Sequence, residues 1–173
     1  MKKIIALALV AAGMASTPAI AQAAKTSTAT AKSSVTIIRP LTITKDTDLV
    51  FGRVVQPRSG TGTVSIANNS TTTVAASGAV ALSGITTSRA VFTVDGEGGQ
   101  VVTVSMPGTF DLTKGADTIT VTLAPDFGAT VTLSNALAAA GSKVLNVGGG
   151  FNLPSTQASG AYTGSFAVTV AYQ

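Results

Sequence analysis

The stretch that decides the fold class lies at the C-terminus, where residues 164–172 read Gly-Ser-Phe-Ala-Val-Thr-Val-Ala-Tyr. In an extended chain Phe166, Val168, Val170 and Tyr172 fall on one face, and the small or polar residues between them fall on the other. Strict alternation of this kind indicates a half-buried β-strand. The C-terminus therefore predicts a strand with one apolar face directed towards a core.

The same alternation recurs upstream, with short turn signals between the apolar runs. It predicts about ten strands, at residues 35–44, 49–55, 62–67, 79–82, 90–94, 101–106, 118–123, 130–133, 144–147 and 164–172. Segments such as 56–60, 95–99 and Pro107-Gly108 contain residues that set or permit turn dihedrals. Many short strands joined by turns are typical of an all-β fold, and we predict a β-sandwich of about eight to ten strands.

Two short segments interrupt this pattern. Ser134-Asn135 can cap a short helix over residues 135–140, with Gly141 suited to the left-handed position after its end. Gly148-Gly149-Gly150 is not followed by the Gly-Lys-Ser/Thr of a phosphate-binding loop, and we interpret it as a turn or bulge.

The first residues have the layout of a secretory signal peptide. Lys2 and Lys3 precede an apolar run over residues 4–15, and small residues of the Ala-x-Ala type follow, which places cleavage after Ala21 or Ala23. We predict that residues 1–23 are removed rather than kept as an anchor, so that the mature chain does not insert into a membrane. Residues 24–34 then form an N-terminal extension and residues 35–173 one domain, exported to the periplasm and from there to the cell surface or an extracellular filament.

The composition excludes most classes of catalytic mechanism. The chain has no histidine and no cysteine, so the commonest general base, the soft metal ligands and the thiol nucleophile are absent. The seven carboxylates, Glu97 among them, fall mainly at predicted turns, and Asp46-Thr47-Asp48 lacks the Gly and distant Glu of a calcium loop. We predict no enzyme, no catalytic residue, no cofactor and no metal.

Charge gives no reason to expect nucleic acid as a partner. Two of the 11 basic residues lie in the signal peptide, which leaves nine against seven acidic residues. The nine are scattered singly along the chain, without the clustered stripe that phosphate binding requires.

The extension is polar and built of small residues, and it cannot bury enough apolar surface to order itself. Its odd-numbered positions nevertheless share one face that grows more apolar towards the domain, through Ala29, Ala31, Ser33, Val35 and Ile37.

Pilins of the chaperone–usher pathway end in an alternating strand with a penultimate tyrosine and a glycine fourteen positions from the end, and Tyr172 and Gly160 match both marks. The chain as a whole resembles an uncharacterised family of bacterial secreted β-sandwich domains akin to spore coat protein U and to fimbrial subunits. Its matching strings are residues 40–44, 49–52, 91–94, 119–123, 147–149 and 160–172.

The resemblance implies an immunoglobulin-like sandwich that is one strand short and is completed by donor-strand exchange. It implies that Ala29, Ala31, Val35 and Ile37 enter the groove of another subunit, either a copy of this chain or a related subunit. It also implies that a periplasmic chaperone and an outer-membrane usher recognise the C-terminal strand, through Gly160, Phe166, Val168, Val170 and Tyr172. The expected function is that of a structural subunit of a surface filament, fimbria or coat.

Two alternatives stay open from the sequence. The chain lacks the early disulfide of many pilins and its donor face is less hydrophobic than usual, so residues 35–44 could simply form the domain's own first strand. The rival function is that of a monomeric secreted carbohydrate-binding or adhesive domain. Such a domain needs an exposed aromatic platform, for which Phe110, Phe127, Phe151 and Tyr162 are the candidates.

Overall fold

The structure is a computed structural model that describes residues 26–173, and the predicted signal peptide lies outside these residues. Within this range the chain forms twelve β-strands and no helix, which confirms the all-β prediction. The strands are β1 Thr42–Thr47, β2 Val54–Val55, β3 Thr61–Ile66, β4 Val74–Ala76, β5 Val80–Ala81, β6 Ala90–Glu97, β7 Val101–Ser105, β8 Thr109–Lys114, β9 Asp117–Pro125, β10 Thr130–Thr132, β11 Ala140–Pro154 and β12 Thr169–Tyr172. No helix of the described residues is long and apolar enough to cross a membrane.

The strands pair antiparallel throughout, in three sheets. The largest has seven strands in the order β1-β6-β11-β3-β4, with β9 pairing β11 and β8 pairing β9. A three-stranded sheet has the order β10-β7-β12, and β2 and β5 form a two-stranded ribbon. This arrangement of curled sheets is consistent with a β-sandwich.

Alternating side chains build two apolar cores from these strands. The first core is formed by β6, β7, β10 and β11, together with Leu123 and Leu133, and its members with no exposed surface are Val94, Val102, Leu145 and Val147. The second core lies inside the curl of the seven-stranded sheet, where Phe51, Val64, Ile66, Ala79, Val121 and Leu153 meet. Strand β3 shows the pattern most clearly, because every second residue from Gly62 to Ile66 is buried and the residues between are exposed.

The long strand β11 joins these parts of the structure. Its first half pairs with β6 along Ala140–Val147, its second half pairs with β3 along Gly149–Pro154, and residues 147–150 also pair with β9. Gly148-Gly149-Gly150 is therefore not a turn or bulge, as the sequence suggested, but lies inside a strand where three neighbours converge. A Cβ atom on Gly148 would overlap the carbonyl oxygen of Ile66, which explains why side chains are missing at this crossing.

The predicted helix over residues 135–140 is wrong. Asn135 and Ala138 have positive φ angles of 65° and 74°, which break a right-handed helix, and residue 140 already begins β11. The segment forms turns instead, because its backbone bonds to neighbouring elements: Gly98 donates its amide to the carbonyl of Ala139. Gly141, expected to follow a helix end, lies in β11.

Other boundaries differ from the prediction. The turn expected at residues 95–99 begins only at residue 98, because β6 continues through Glu97. Strand β1 begins at Thr42, so residues 35–41 precede the sheet rather than forming its first strand. Strands β4 and β8 were not predicted.

Residues 36–173 form one compact unit, to which the described residues 26–35 do not belong. Residues 26–35 have no regular secondary structure and every side chain is exposed.

Candidate functional site

The candidate site is an apolar groove of about 860 Å³ in the compact unit. One wall is formed by residues 49–56, which connect β1 to β2, and the other by residues 157–164, which precede the C-terminal strand. The floor is made by inward-facing side chains of β8, β9 and β11, namely Leu112, Ile119, Phe151 and Leu153. The groove thus opens onto the second core, and we call it the core groove.

The C-terminal wall of the core groove has a largely unpaired backbone. Within the described structure, Thr163 is the one residue of 158–168 that makes backbone–backbone hydrogen bonds, and it makes them with Thr113 of β8. The carbonyls of Ala158 and Ser159 accept from side chains, whereas the backbone groups of residues 160–162 and 164–168 have no hydrogen-bond partner among residues 26–173 and can pair with an added strand. The opposite wall is held from outside by the bridge between Val50 and Ser88 and by the pairing of β2 with β5.

Gly160 belongs to this wall, as one of the predicted C-terminal site residues. Its φ of +145° is a conformation that other residues rarely adopt, and a Cβ there would lie 2.5 Å from Cδ of Lys114. The Lys114 ammonium donates to the carbonyl of Ser159 at 2.8 Å and lies 5.4 Å from the centre of the Tyr162 ring. The Tyr162 hydroxyl in turn donates to the Ala158 carbonyl and accepts from Gln157, both at 2.7 Å. These contacts fix the wall without using its backbone for strand pairing.

The other C-terminal site residues lie on one face, as the alternation predicts. Phe166, Val168, Val170 and Tyr172 are half-buried and pack against the first core, whereas the residues between them are exposed. Strand β12 pairs only with β7 and therefore lies at the edge of its sheet. The apolar side chains of this edge strand face inwards.

The four predicted donor residues, Ala29, Ala31, Val35 and Ile37, are all exposed. Val35 and Ile37 expose 84% and 86% of their surface, which are the largest values for any large hydrophobic residue in the described part of the chain. Burying either side chain would be worth about 1.5–3 kcal/mol, so this exposure leaves a considerable stabilisation unused.

The sequence did not indicate a buried carboxylate that ties several elements together. The side chain of Glu97 is only 3% exposed. It accepts hydrogen bonds from the backbone amide of Ala138, from the backbone amide of Arg39 at 3.2 Å and from the Arg39 guanidinium at 3.1 Å. The Glu97 amide donates to the Tyr172 hydroxyl at 2.7 Å, and that hydroxyl donates to the Arg39 carbonyl at 3.0 Å.

Burial by itself would raise the pKa of Glu97, because a charged group loses hydration. The backbone hydrogen bonds from Ala138 and Arg39, followed by the positive charge and side-chain hydrogen bond of Arg39, outweigh that effect and hold the pKa below its ordinary value of 4.5. Glu97 is therefore ionised at neutral pH. The sequence predicted a turn at this position, and the alternation of β6, which buries residues 90, 92, 94 and 96, does not indicate the burial of Glu97.

Several other carboxylates make hydrogen bonds or ion pairs with single partners. Asp46 accepts from Thr93, Asp48 pairs with Lys45, and Asp126 accepts from both the backbone and the side chain of Asn146. Among residues 26–173, no three side chains of the His, Cys, Asp or Glu type gather in a way that could hold a metal ion.

The aromatic candidates for a sugar-binding platform are mostly directed inwards. Phe110 stacks on Phe166 at 5.1 Å, Phe151 packs edge-on against Phe51 at 5.0 Å, and Phe127 packs against the first core. The Tyr162 ring is held between Lys114 and Gln157, as described above.

Comparison with known proteins identifies a family but no function. Residues 41–172 match a family described as a domain of unknown function, DUF4402. The match covers most of the chain and all twelve strands, so the chain belongs to this family. No curated protein matches the chain at a significant level, and neither does any solved structure.

Proposed function

We propose that this chain is an exported structural subunit that polymerises by strand addition, with residues 29–37 of one copy seated in the core groove of another copy or of a related subunit. The domain is then an immunoglobulin-like sandwich one strand short. The observation that carries the proposal is the wall of residues 160–164 beside an apolar groove, in which Thr163 is the one residue of this wall whose backbone has a partner in the described part of the chain. An extended segment that enters such a groove pairs its backbone with the wall and directs alternate side chains to the floor.

The N-terminal extension has the chemistry of that occupant. Val35 and Ile37 are exposed in the single chain, and they point to the same face of an extended strand. Seated on the floor of Leu112, Ile119 and Phe151, each would contribute about 1.5–3 kcal/mol, against about 0.8 kcal/mol for each alanine methyl. The domain-proximal end of the strand therefore supplies most of the apolar contact.

Length also fits. Nine residues, 29–37, extend to about 30 Å as a β-strand, and the groove wall has a similar number of residues, the eight of 157–164.

The edge strand and the unpaired backbone before it also support the expected chaperone and usher as partners. The open edge of β12 and the unpaired residues before it would be covered by a periplasmic chaperone until an outer-membrane usher brings the next subunit. Because Val168 and Tyr172 pack against the core, replacing them would destabilise the domain itself, so they are poor probes of chaperone capture.

The first test asks whether the extension acts between subunits. The mature protein should form SDS-resistant ladders, and double replacement of Val35 and Ile37 by Asp should abolish them, because the change buries unpaired charge. The matched control is Thr36→Asp, which places the same charge on the opposite face of the strand and should preserve the ladders. Equal loss with Thr36→Asp, or a mature protein that stays monomeric at high concentration, would contradict the proposal.

The second test uses the absence of native cysteine, which makes any disulfide diagnostic. One preparation carries Val35→Cys in the extension and the other carries Ala161→Cys on the groove wall. Ala31→Cys and Ile37→Cys are alternative donors for a different register between the extension and the wall. A disulfide between the two proteins should form only on mixing. A control acceptor, Thr109→Cys, lies on an exposed face outside the groove and should stay unlinked. If the donor cysteine formed a disulfide with Thr109→Cys as readily as with Ala161→Cys, the extension would not bind specifically in the core groove.

A further inference from the structure

The root of the extension, defined as residues 36–41, is fastened to the domain at one buried point. Arg39 reaches Glu97 with both its backbone amide and its guanidinium, and the guanidinium also donates to the carbonyl of Ala138 at 3.3 Å. The carbonyl of Arg39 accepts from the Tyr172 hydroxyl, which itself accepts from the Glu97 amide. The beginning and the end of the domain therefore meet at the same residue, because Arg39 contacts the Glu97 carboxylate and Tyr172 contacts its backbone amide, although Arg39 and Tyr172 are 133 residues apart.

We infer that Glu97 is a mechanical clamp, which transmits a pulling force on the extension to the C-terminal strand and to β6 rather than to β1 alone. Its biological purpose rests on the proposed function, because only in a polymer joined through the extension would the chain be pulled at this point. The mechanical behaviour itself belongs to the single domain.

The position of the clamp matches the path by which the domain would otherwise open. Strand β1 has β6 as its single neighbour, and its first pair joins Thr42 to Asp95. A force on the extension would peel β1 from that end, one pair at a time. Glu97 lies two residues beyond Asp95 on β6 and holds Arg39, which lies just before Thr42, so the clamp must break before peeling can begin.

The chemistry of the clamp suits this role. Hydrogen bonds to an ionised group are roughly twice as strong as those between neutral groups. Separating Arg39 from Glu97 would also leave a carboxylate that is 3% exposed with fewer partners, and a buried charge without partners is costly. By contrast, the ion pair of Lys45 and Asp48 has side chains that are 57% and 66% exposed, so water readily replaces its contacts.

Single-molecule force spectroscopy on the mature chain tests the inference. Handles attached at Thr28→Cys and at Ala161→Cys pull the extension away from the groove wall, and no native cysteine competes for them. In Glu97→Gln the shape is kept, but the charge is lost and one acceptor oxygen becomes an NH2 group that cannot accept from Arg39 or Ala138, so we expect the mean rupture force to fall by about twofold. The matched control, Asp48→Asn, removes the exposed ion pair and should leave the force unchanged.

A rupture force in Glu97→Gln equal to that of the parent protein would overturn the inference, and so would an equal loss in Asp48→Asn. If Glu97→Gln does not fold, the rupture force of Arg39→Gln tests the inference instead. Its side chain is 46% exposed, and Glu97 keeps both amide donors, so the domain should fold and show a smaller loss of force, whereas an unchanged force would again overturn the inference. The measurement uses single molecules, so a failure of the clamp is distinguishable from a failure of polymerisation.

Discussion

The crossing of β11 with its three neighbours makes a prediction that can be worked out from geometry. Gly148 has no positive φ, so alanine is compatible with its backbone. The added Cβ would overlap the carbonyl oxygen of Ile66 and would lie 2.6 Å from the amide nitrogen of Asn68. Both are backbone atoms of a paired strand or its immediate continuation, which cannot rotate away as a flexible side chain can. We therefore expect Gly148→Ala to force β3 and β11 apart.

The size of the effect follows from two opposing contributions. Overpacking a well-packed site by one methylene usually costs about 1–3 kcal/mol, and a backbone clash belongs at the upper end. Alanine also restricts the unfolded chain, which returns about 0.4–1 kcal/mol. The net loss should be about 2 kcal/mol in the free energy of unfolding, which corresponds to a Tm lower by about 4–8 °C for a domain of this length.

Gly108 is the matched control. It has no positive φ, and a Cβ there would meet no atom within 4 Å. Gly108→Ala should therefore raise the free energy of unfolding by about 0.4–1 kcal/mol, through the unfolded chain alone. Urea denaturation measures both changes. At an unchanged m-value, the urea midpoint should fall for Gly148→Ala and rise for Gly108→Ala. If Gly148→Ala and Gly108→Ala shifted the midpoint by the same amount, close packing would not be the reason for glycine at the crossing.

Two further predictions concern Glu97 and the Tyr172 hydroxyl that bonds to its backbone amide. Tyr172→Phe removes the hydroxyl that pairs the Glu97 amide with the Arg39 carbonyl and should cost about 1–3 kcal/mol, measured by thermal melting; a variant that melts with the parent protein would contradict those bonds. Because the pKa of Glu97 is lowered in the folded state, its ionisation stabilises the domain above pH about 4.5, and this contribution is lost as pH falls through the lowered pKa. As pH falls through that range, the urea midpoint should decrease less steeply for Glu97→Gln than for the parent protein. Parallel profiles of the two proteins would show that Glu97 is not the group responsible.

The sequence predicted those strands whose two faces differ in polarity. β3, β7 and β9 alternate cleanly, and each was expected within two residues of its observed bounds, whereas β12 begins at Thr169, five residues after its predicted start. β8 alternates as well, and Gly115-Ala116 forms a two-residue connection to β9, with Gly115 at a φ of 60°. That hairpin could have been predicted from the glycine and the flanking alternation.

Other features depend on partners that a linear pattern does not show. The glycines of β11 look like a chain break until three strands are seen to converge on them. Residues 135–140 have the composition of a helix, but tertiary bonds to residues 97 and 98 hold them in turns. Glu97 is charged and stands beside glycines, so its burial follows only from the arrival of Arg39 and Ala138 from distant parts of the chain.

The candidate site was predicted in the same partial way. The alternating faces of residues 29–37 and 166–172 could be read directly, as could the special character of Gly160. The walls of the core groove could not, because residues 49–56 and 157–164 are brought together only by the curl of the seven-stranded sheet.

The double pairing of β11 also governs how fast the chain can fold. Gly149 pairs with Ile66, which precedes it by 83 residues, so β3 cannot find this partner until most of the domain has been made. Closing a loop of that length costs entropy before any contact is gained, and folds dominated by such distant pairings form in milliseconds to seconds rather than microseconds. Throughout that interval the Val64 and Ile66 side chains have no core to enter, which makes the period before β11 arrives the time of greatest risk of aggregation.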